Sequence, residues 1–230
     1  MKFSVIIAAC NEGAQIGSSL KRLRQISQSS PMELIVVDGG SNDDTAAEAR
    51  QWADQVLTLG APNRGLQLDA GAKKASGDLL FFLPADAQPP GNWQTALEHF
   101  WLANHPAPVA ASVFTVDYGS SFSFRLVSRL ANSAVQWRGL ASGDHGLCTT
   151  PDLYKQSGGY PPQAYREDIV FCERLGRFGE VVRLPDRIWP AARRMHRAGP
   201  LRCALKHGWL TLRYKLGASP DDLWRSYSGL

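Results

Sequence analysis

The sequence predicts a single α/β domain in which a mostly parallel central sheet is flanked by helices. Short apolar runs rich in β-branched residues alternate with longer segments whose apolar residues recur at helical spacing. A chain of 230 residues, 44% hydrophobic and 20% charged, fits one large domain better than two. Because no apolar run approaches the roughly 20 residues of a membrane-spanning helix, a spanning protein is not expected. The N-terminal apolar run is brief and is followed at once by Asn11-Glu12, so an exported protein is not expected either.

The first half, residues 1–108, is predicted to consist of strands that are each followed by a helix. The strands are expected at residues 3–9, 33–37, 55–59 and 78–83. The helices are expected around an apolar stripe of Ile16, Leu20 and Leu23, at 43–52, at 66–75 and from Trp93 onward. A turn-like loop, 84–90, follows the fourth strand. In open α/β sheets ligands bind beyond the carboxyl ends of strands, so the site is predicted at the ends of the first, second and fourth strands.

The second half is less regular in pattern. For residues 109–200 we predict a strand at 109–116, helices at 123–137 and 168–178, and a loop at 142–146. The tail, residues 201–230, contains a predicted helix at 201–216. The tail therefore adds one predicted helix to the end of the domain.

Positive charge is concentrated near the C-terminus. Residues 183–230 hold ten Lys or Arg against three Asp or Glu, whereas the rest of the chain is net acidic. Such a tail attracts phosphate-bearing substrates, anionic lipid or nucleic acid, or is simply a solvated helix face. Because no nucleic-acid-binding module is recognisable, nucleic acid is not expected. The 201–216 helix is predicted either to lie on an anionic membrane surface or to pack as the last helix of the core.

The four cysteines lie far apart and show no paired spacing. This pattern indicates neither a zinc site nor a disulfide framework. We therefore expect inert thiols in a reducing, cytoplasmic protein.

The motifs that cradle diphosphates in other nucleotide-binding proteins are absent. No Gly-x-Gly-x-x-Gly follows the first strand, and no Gly-x-x-x-x-Gly-Lys-Ser/Thr segment occurs. A bound diphosphate would then need a metal ion or arginines to neutralise it. Asp86 and Arg64 lie in suitable strand-end loops. Asp38, followed by two glycines, either contacts a ligand or only stabilises the turn before a helix N-cap at Ser41.

Several segments in order resemble family-2 glycosyltransferases. They are residues 4–7 with Asn11-Glu12, 36–45, 63–65, 71–83, Ala85-Asp86 and 167–175. Residues 143–146, 192–194 and 216–220 are more closely similar to the bacterial radical-SAM/selenodomain-associated transferase 2 subgroup. The resemblance covers nearly the whole chain and implies a glycosyltransferase A-type fold with a Rossmann-like nucleotide-binding half.

The resemblance also implies roles for individual residues. It implies inverting transfer of a sugar from a nucleotide-diphosphate-sugar to an acceptor, with Asp168 as general base and Glu167 as its orienter. It implies Mg²⁺ or Mn²⁺ at Asp86. Expected donor contacts are Ala8, Asn11, Glu12, Asp38, Arg64, Asp86, Arg193 and Arg194; guanidinium groups suit the leaving diphosphate. Expected acceptor contacts are Gly143, Asp144 and His145. The alternative for Glu167-Asp168 is a pair of acidic residues favoured by a helix N-terminus.

Two positions depart from the family pattern. Pro84 stands where the first Asp of the Asp-x-Asp metal motif usually lies, and Ala8 replaces a proline. Either Asp86, diphosphate and water hold a metal, or arginines replace it; His196 is a further candidate ligand or plain polar surface. Two other functions stay open: a nucleotidyltransferase that makes a sugar nucleotide, and a non-catalytic protein that binds nucleotide sugars.

Overall fold

The computed structural model describes residues 1–228, without the side chains of Arg194, Asp221, Tyr227 and Ser228. Within this range the chain forms eight strands and ten α-helices. The strands are β1 (Phe3–Ala9), β2 (Met32–Asp38), β3 (Gln55–Thr58), β4 (Leu79–Phe82), β5 (Ala87–Gln88), β6 (Val109–Val116), β7 (Leu147–Thr149) and β8 (Glu180–Pro190). The helices are α1 (Gly13–Ile26), α2 (Thr45–Arg50), α3 (Arg64–Lys74), α4 (Trp93–Leu102), α5 (Phe122–Arg138), α6 (Pro151–Gln156), α7 (Glu167–Leu175), α8 (Arg193–Ala198), α9 (Pro200–Lys215) and α10 (Pro220–Ser228).

The strands form one sheet in the order β3-β2-β1-β4-β7-β6-β8-β5. The four neighbouring strands β3, β2, β1 and β4 are mutually parallel, and β6 is parallel to β8. Strand β7 runs antiparallel to both β4 and β6. Strand β5 is antiparallel to β8. The predicted α/β class with a mostly parallel sheet is confirmed. Because β7 is antiparallel to both of its neighbours, β6 ends at the same edge of the sheet as β1 and β4.

Side chains alternate between two buried layers on either face of the sheet. Phe3, Val5 and Ile7 of β1 lie in one cluster with apolar residues of α1 and α4. Ile6 lies in the other cluster, with residues of α3 and α7. Successive residues of a strand point to opposite faces, so a strand buried on both faces reads as a continuous apolar run. This is why β1 could be located correctly from the sequence.

Several elements, most of them after residue 108, escaped the sequence prediction: β5, β7, β8, α6, α8 and α10. The longest of them, β8, mixes charged residues with two prolines and is only partly buried, so it lacks an apolar run or a clean alternation. Strands β5 and β7 have two and three residues, too few to show a period. The helix predicted at 168–178 begins at Glu167 and ends at Leu175, directly before Gly176.

The C-terminal helices are attached to the domain by a small cluster of their own. Tyr165, Leu210 of α9 and Leu223 of α10 pack together in a buried group. In the described part of the chain, no helix combines the length and apolarity needed to cross a bilayer.

Candidate active site

A cleft of about 690 Å³ lies at the carboxyl ends of β1, β4 and β6. Most of the predicted site residues line it, although they come from distant parts of the sequence. They are Ala8, Glu12, Arg64, Asp86, Asp144, Glu167, Asp168 and Arg193. The cavity therefore lies at the carboxyl edge of the sheet, where the site was predicted.

Two predicted donor contacts, Asp38 and Asn11, lie beside the cleft and stabilise its wall. The Asp38 carboxylate is buried and accepts hydrogen bonds from the Gly40 and Ser41 backbone N–H groups and from the Ser41 hydroxyl. The Asn11 side-chain oxygen accepts a hydrogen bond from the Asn42 N–H at 3.0 Å, and the Asn11 backbone N–H donates to the Ser41 hydroxyl at 2.8 Å. These bonds connect the turns that follow β1 and β2. Their contact with a donor stays a prediction.

Gln67 of α3 supports the same wall and was not predicted. Its buried amide nitrogen donates to the carbonyls of Ala9 at 2.9 Å and Val37 at 2.8 Å. Sequence spacing carried no signal for it, because a glutamine in a helix is usually a solvent-exposed helix former. The bonds hold the ends of β1 and β2 together directly beneath the cleft.

Arg193 bridges two carboxylates that line the cleft, one after β1 and one after β4. Its Nη2 donates to a Glu12 carboxylate oxygen at 2.8 Å and to Asp86 Oδ2 at 3.0 Å. Partial burial disfavours the guanidinium charge, but the two carboxylates outweigh this and raise the pKa of Arg193. Arg193 begins α8, which follows Ala192 in the left-handed conformation (φ 49°). The side chain of the neighbouring Arg194, predicted to share this role, lies outside the described residues.

The carboxylates beside Arg193 are the candidate metal ligands. No cluster of three or more His, Cys, Asp or Glu ligands occurs among the described residues. Asp86 and Glu12 nevertheless place two hard oxygen donors close together, and the Arg193 guanidinium supplies the positive charge between them. Mg²⁺ is commonly held by one or two carboxylates plus substrate phosphates. The pair thus fits the protein's share of such a site. His196 lies instead with its ring 4.8 Å from that of Phe124, centroid to centroid.

Asp168 is presented to the cleft from the first turn of α7. Its Oδ2 accepts a hydrogen bond from the Gly143 N–H at 2.7 Å, and its Oδ1 accepts one from the Ile169 N–H at 2.7 Å. The side chain is only partly buried. The two backbone donors fix the orientation of the carboxylate.

Glu167, the neighbour of Asp168, forms a buried ion pair. Its Oε1 lies 2.7 Å from Arg64 Nη1, and only 5% of its side chain is exposed. Burial and the Asp168 charge raise the pKa of Glu167, and Arg64 opposes this. The Glu167 carboxylate therefore pairs with Arg64. The hydrogen bond to Asp168 comes instead from the Gly143 N–H. A Cβ atom at Gly143 would lie 2.2 Å from Arg64 Nη2, so a larger residue there would displace the Arg64 guanidinium from its present position.

The predicted acceptor residues occupy a short 3-10 helix, Gly143–His145. Asp144 lines the cleft and accepts a 2.7 Å hydrogen bond from the Tyr118 hydroxyl, while burial raises the pKa of Asp144. His145 is buried outside the set of residues that line the cleft, and its Nδ1 lies 3.1 Å from the Ser142 carbonyl oxygen. Burial lowers the pKa of His145 to about 4 and keeps the ring neutral. The structure therefore brings Asp144, but not His145, into the cleft.

Tyr118 and Arg166 also line the cleft and were missed. Tyr118 follows β6, and its position after a predicted strand was the available signal, but only the sheet order shows that β6 ends at this edge. Arg166 precedes Glu167 in the left-handed conformation (φ 62°). It donates to the Thr211 hydroxyl at 2.9 Å and lies 5.0 Å from the Tyr214 ring centroid. Nothing in the sequence pattern indicates these contacts with α9.

The sheet order, with a strand-end cleft between two halves, defines an α/β enzyme fold of the glycosyltransferase A type. Solved structures agree. The mannosyltransferase PcManGT from Pyrobaculum calidifontis, in complex with GDP-Man and Mn²⁺, has a TM-score of 0.68 at 18% identity, covering 98% of this chain and 67% of that one. Glucosyl-3-phosphoglycerate synthase from Mycobacterium tuberculosis, with Mn²⁺, UDP and phosphoglyceric acid, has a TM-score of 0.63 at 19% identity, covering 95% and 79%. At these identities the likeness shows the fold.

The chain belongs to glycosyl transferase family 2, whose model matches residues 4–157. The succinoglycan biosynthesis protein ExoA of Rhizobium meliloti (strain 1021) is 26% identical over 199 residues, which are 80% of this chain and 60% of that protein. The undecaprenyl-phosphate 4-deoxy-4-formamido-L-arabinose transferase of Serratia proteamaculans (strain 568) is 31% identical over 157 residues, 63% of this chain and 47% of that protein. The chain thus spans 60% or less of the length of these relatives.

Proposed function

We propose that this protein transfers a sugar from a nucleotide-diphosphate-sugar to an acceptor hydroxyl with inversion, using Asp168 as the general base. The observation that carries the proposal is the placement of Asp168 in the cleft, with its carboxylate held by the Gly143 N–H. Family membership supports the reaction class. A carboxylate within reach of the attacking hydroxyl is what a single-displacement transfer needs from the protein.

The donor is proposed to lie at the ends of β1, β2 and β4. Guanidinium groups match phosphate oxygens in charge and geometry, which supports Arg193 as a diphosphate contact. Asp38 is proposed to contact the base and Arg64 the base or phosphate. The complete set of proposed donor contacts is Ala8, Asn11, Glu12, Asp38, Arg64, Asp86, Arg193 and Arg194.

Asp86, with Glu12 beside it, is proposed to hold Mg²⁺ or Mn²⁺. Both structural neighbours described above contain Mn²⁺ with a nucleotide or nucleotide sugar, which supports a divalent ion. A bound divalent ion would neutralise charge that gathers on the departing nucleoside diphosphate. Pro84 removes one customary carboxylate, and Glu12 offers a second oxygen ligand in its place.

In the proposed reaction, Asp168 accepts the proton of the acceptor hydroxyl as the oxygen bonds to the anomeric carbon. The bond from that carbon to the diphosphate oxygen breaks on the opposite face, and its electron pair leaves with the nucleoside diphosphate. Attack from the opposite face inverts the configuration. Arg193 contributes positive charge on the side of the leaving group, and the Glu167–Arg64 pair supports the start of α7.

The second half of the chain, residues 109–200, is proposed to bind the acceptor through Gly143, Asp144 and His145. Asp144 is the member of this set that lines the cleft, so it is the one proposed to touch the acceptor; His145 would act through its packing. The proposed subgroup is the radical-SAM/selenodomain-associated transferase 2 type. The proposed location is the cytoplasm, with peripheral contact to an anionic membrane; four free cysteines agree with a reducing compartment.

An Asp168→Asn variant tests the proposal. Release of nucleoside diphosphate from UDP, GDP, CDP and dTDP sugars is measured with Mg²⁺ or Mn²⁺, and donor binding is measured by thermal shift. We expect turnover to fall by about 10²- to 10⁴-fold while the donor-induced shift is retained. The matched control is Asp152→Asn, an exposed aspartate in the first turn of α6, which should leave both unchanged.

Three results would count against the proposal. Equal turnover in the Asp168→Asn variant and the control would remove the general-base role. Release of diphosphate from a nucleoside triphosphate and a sugar phosphate would instead support a nucleotidyltransferase. Donor binding without turnover in the wild-type protein, with either ion, would support a non-catalytic binding protein.

A further inference from the structure

Two helices, α5 of the second half and α9 of the tail, carry exposed stripes of large apolar side chains. The stripe on α5 and the stripe on and just after α9 contain side chains that are between 36% and 82% exposed. The α5 residues are Phe122, Leu126, Leu130 and Trp137. The α9 residues are Leu201, Leu205, Trp209, Leu212 and Leu216.

The spacing of these residues places each set on one side of its helix. Both stripes follow positions i, i+4, i+8 and i+15, and α9 adds i+11. At 3.6 residues per turn these positions fall within an arc of about 80°. The opposite sides are buried: Val127 and Val135 of α5, and Leu210 of α9, pack into the domain. The helices therefore have a buried inner face and a separate apolar outer face, and they contact one another.

The charged residues of the same two helices are all basic. Neither contains an Asp or Glu, whereas α5 has three arginines and α9 has four lysines or arginines. Acidic residues are absent from the whole of 187–220. The basic residues next to the stripes are Arg125, Arg129, Arg138, Arg202, Lys206, Arg213 and Lys215.

Charge decides which partner suits this surface. A second copy of the chain would set these basic helices against themselves, and the like charges would repel. An anionic bilayer offers both requirements at once: an apolar region for Leu, Trp and Phe side chains, and negative headgroups for Lys and Arg. Trp and Leu on one face with Lys and Arg beside them is the composition of helices that lie in a membrane interface.

We propose that the outer faces of α5 and α9, here the docking face, bind the surface of an anionic lipid bilayer. The inference specifies the peripheral membrane contact of the proposed function and does not depend on the catalytic role of Asp168. The docking helix α9 also contacts the site: Thr211 and Tyr214 on it hold Arg166, which directly precedes Glu167 and Asp168. Because α9 contacts both the bilayer and Arg166, docking would hold the cleft close to the membrane surface.

Vesicle co-sedimentation of the 230-residue chain tests the docking face. The wild-type protein is expected to bind vesicles of phosphatidylcholine with phosphatidylglycerol, to bind vesicles of phosphatidylcholine alone more weakly, and to dissociate as salt is raised. Leu205→Ser with Trp209→Ser should lower binding to anionic vesicles at least about tenfold. A charge variant, Arg202→Glu with Lys206→Glu, should lower it similarly. The matched control is Leu102→Ser, an exposed leucine at the end of α4.

The readouts separate failure of docking from failure of catalysis or folding. Donor hydrolysis and thermal shift are measured without vesicles, and both are expected to match wild type in the docking variants. The proposal is overturned if the wild-type protein does not bind anionic vesicles, if it binds neutral vesicles equally well, or if the docking variants bind like Leu102→Ser. It is also overturned if sedimentation equilibrium shows a wild-type dimer that the Leu205→Ser/Trp209→Ser variant abolishes, because the occupant is then a second copy.

Discussion

Removing Arg64 should destabilise the protein by leaving a buried carboxylate without its partner. Arg64 Nη1 lies 2.7 Å from Glu167 Oε1, and the exposed fractions of the two side chains are 34% and 5%. An Arg64→Met variant keeps much of the apolar stem but removes the charge. Glu167 must then either remain ionised in a poorly solvated position or take up a proton.

The expected loss is about 3 kcal/mol at pH 8. Breaking a buried pair by removing one partner costs about 3–5 kcal/mol, and the lower end applies because Arg64 is one-third exposed. Without Arg64, the folded-state pKa of Glu167 rises further above its unfolded value. The native state then binds more protons than the unfolded state between these two pKa values, so the variant gains stability relative to wild type as the pH falls. The loss should shrink between pH 8 and pH 5.

Urea denaturation at several pH values measures the effect. The control is Arg187→Met, which breaks an exposed pair with Asp117 and should cost less than about 1 kcal/mol at every pH. Arg64→Met with Glu167→Gln should recover at least half of the loss, because the uncompensated charge is gone. The reasoning is refuted if Arg64→Met costs no more than Arg187→Met at pH 8, or if its cost is the same at pH 5.

Two further predictions concern the neighbouring supports of the cleft. Gln67→Leu removes the side-chain donor of the Ala9 and Val37 carbonyls, although Ala9 keeps its bond from the Gly39 N–H, and should cost about 2 kcal/mol in urea denaturation; a loss below about 0.5 kcal/mol would contradict this role. His145, whose pKa burial lowers to about 4, stays neutral in the folded state while the unfolded state protonates near pH 6.5. It should therefore remove about 2 kcal/mol of stability between pH 8 and pH 5. His145→Gln should abolish this part of the pH dependence, and parallel curves for the two proteins would refute it.

Much of the first half followed from local pattern. A strand buried on both faces leaves a continuous apolar run, so β1 was located at its observed bounds, and polar residues directly after such runs marked the edge where the cleft lies. Strand β6 was also located at its observed bounds. The exposed, proline-containing strand β8 left no comparable pattern, because its side chains face a mixture of core and solvent.

The C-terminal tail shows where pattern leaves a choice open. The helix at 201–216 was expected either to rest on a membrane or to pack on the core. In the structure Leu210 is buried against Tyr165 and Leu223, while Leu205 and Trp209 remain exposed. Packing on the domain buries only the inner face of α9. The membrane remains the proposed partner of its exposed outer face.

The sequence by itself determined the α/β class, the resemblance to family 2 and the residue types at the strand ends, because those depend on short-range periodicity and local motifs. Only the tertiary structure decided which charges meet. Arg64 pairs with Glu167 across 103 positions, and Arg193 bonds to Asp86 across 107 and to Glu12 across 181. The packing of helices and loops on the sheet determines which charged side chains come close together. Because opposite charges attract at any separation along the chain, no local sequence spacing indicates these pairs.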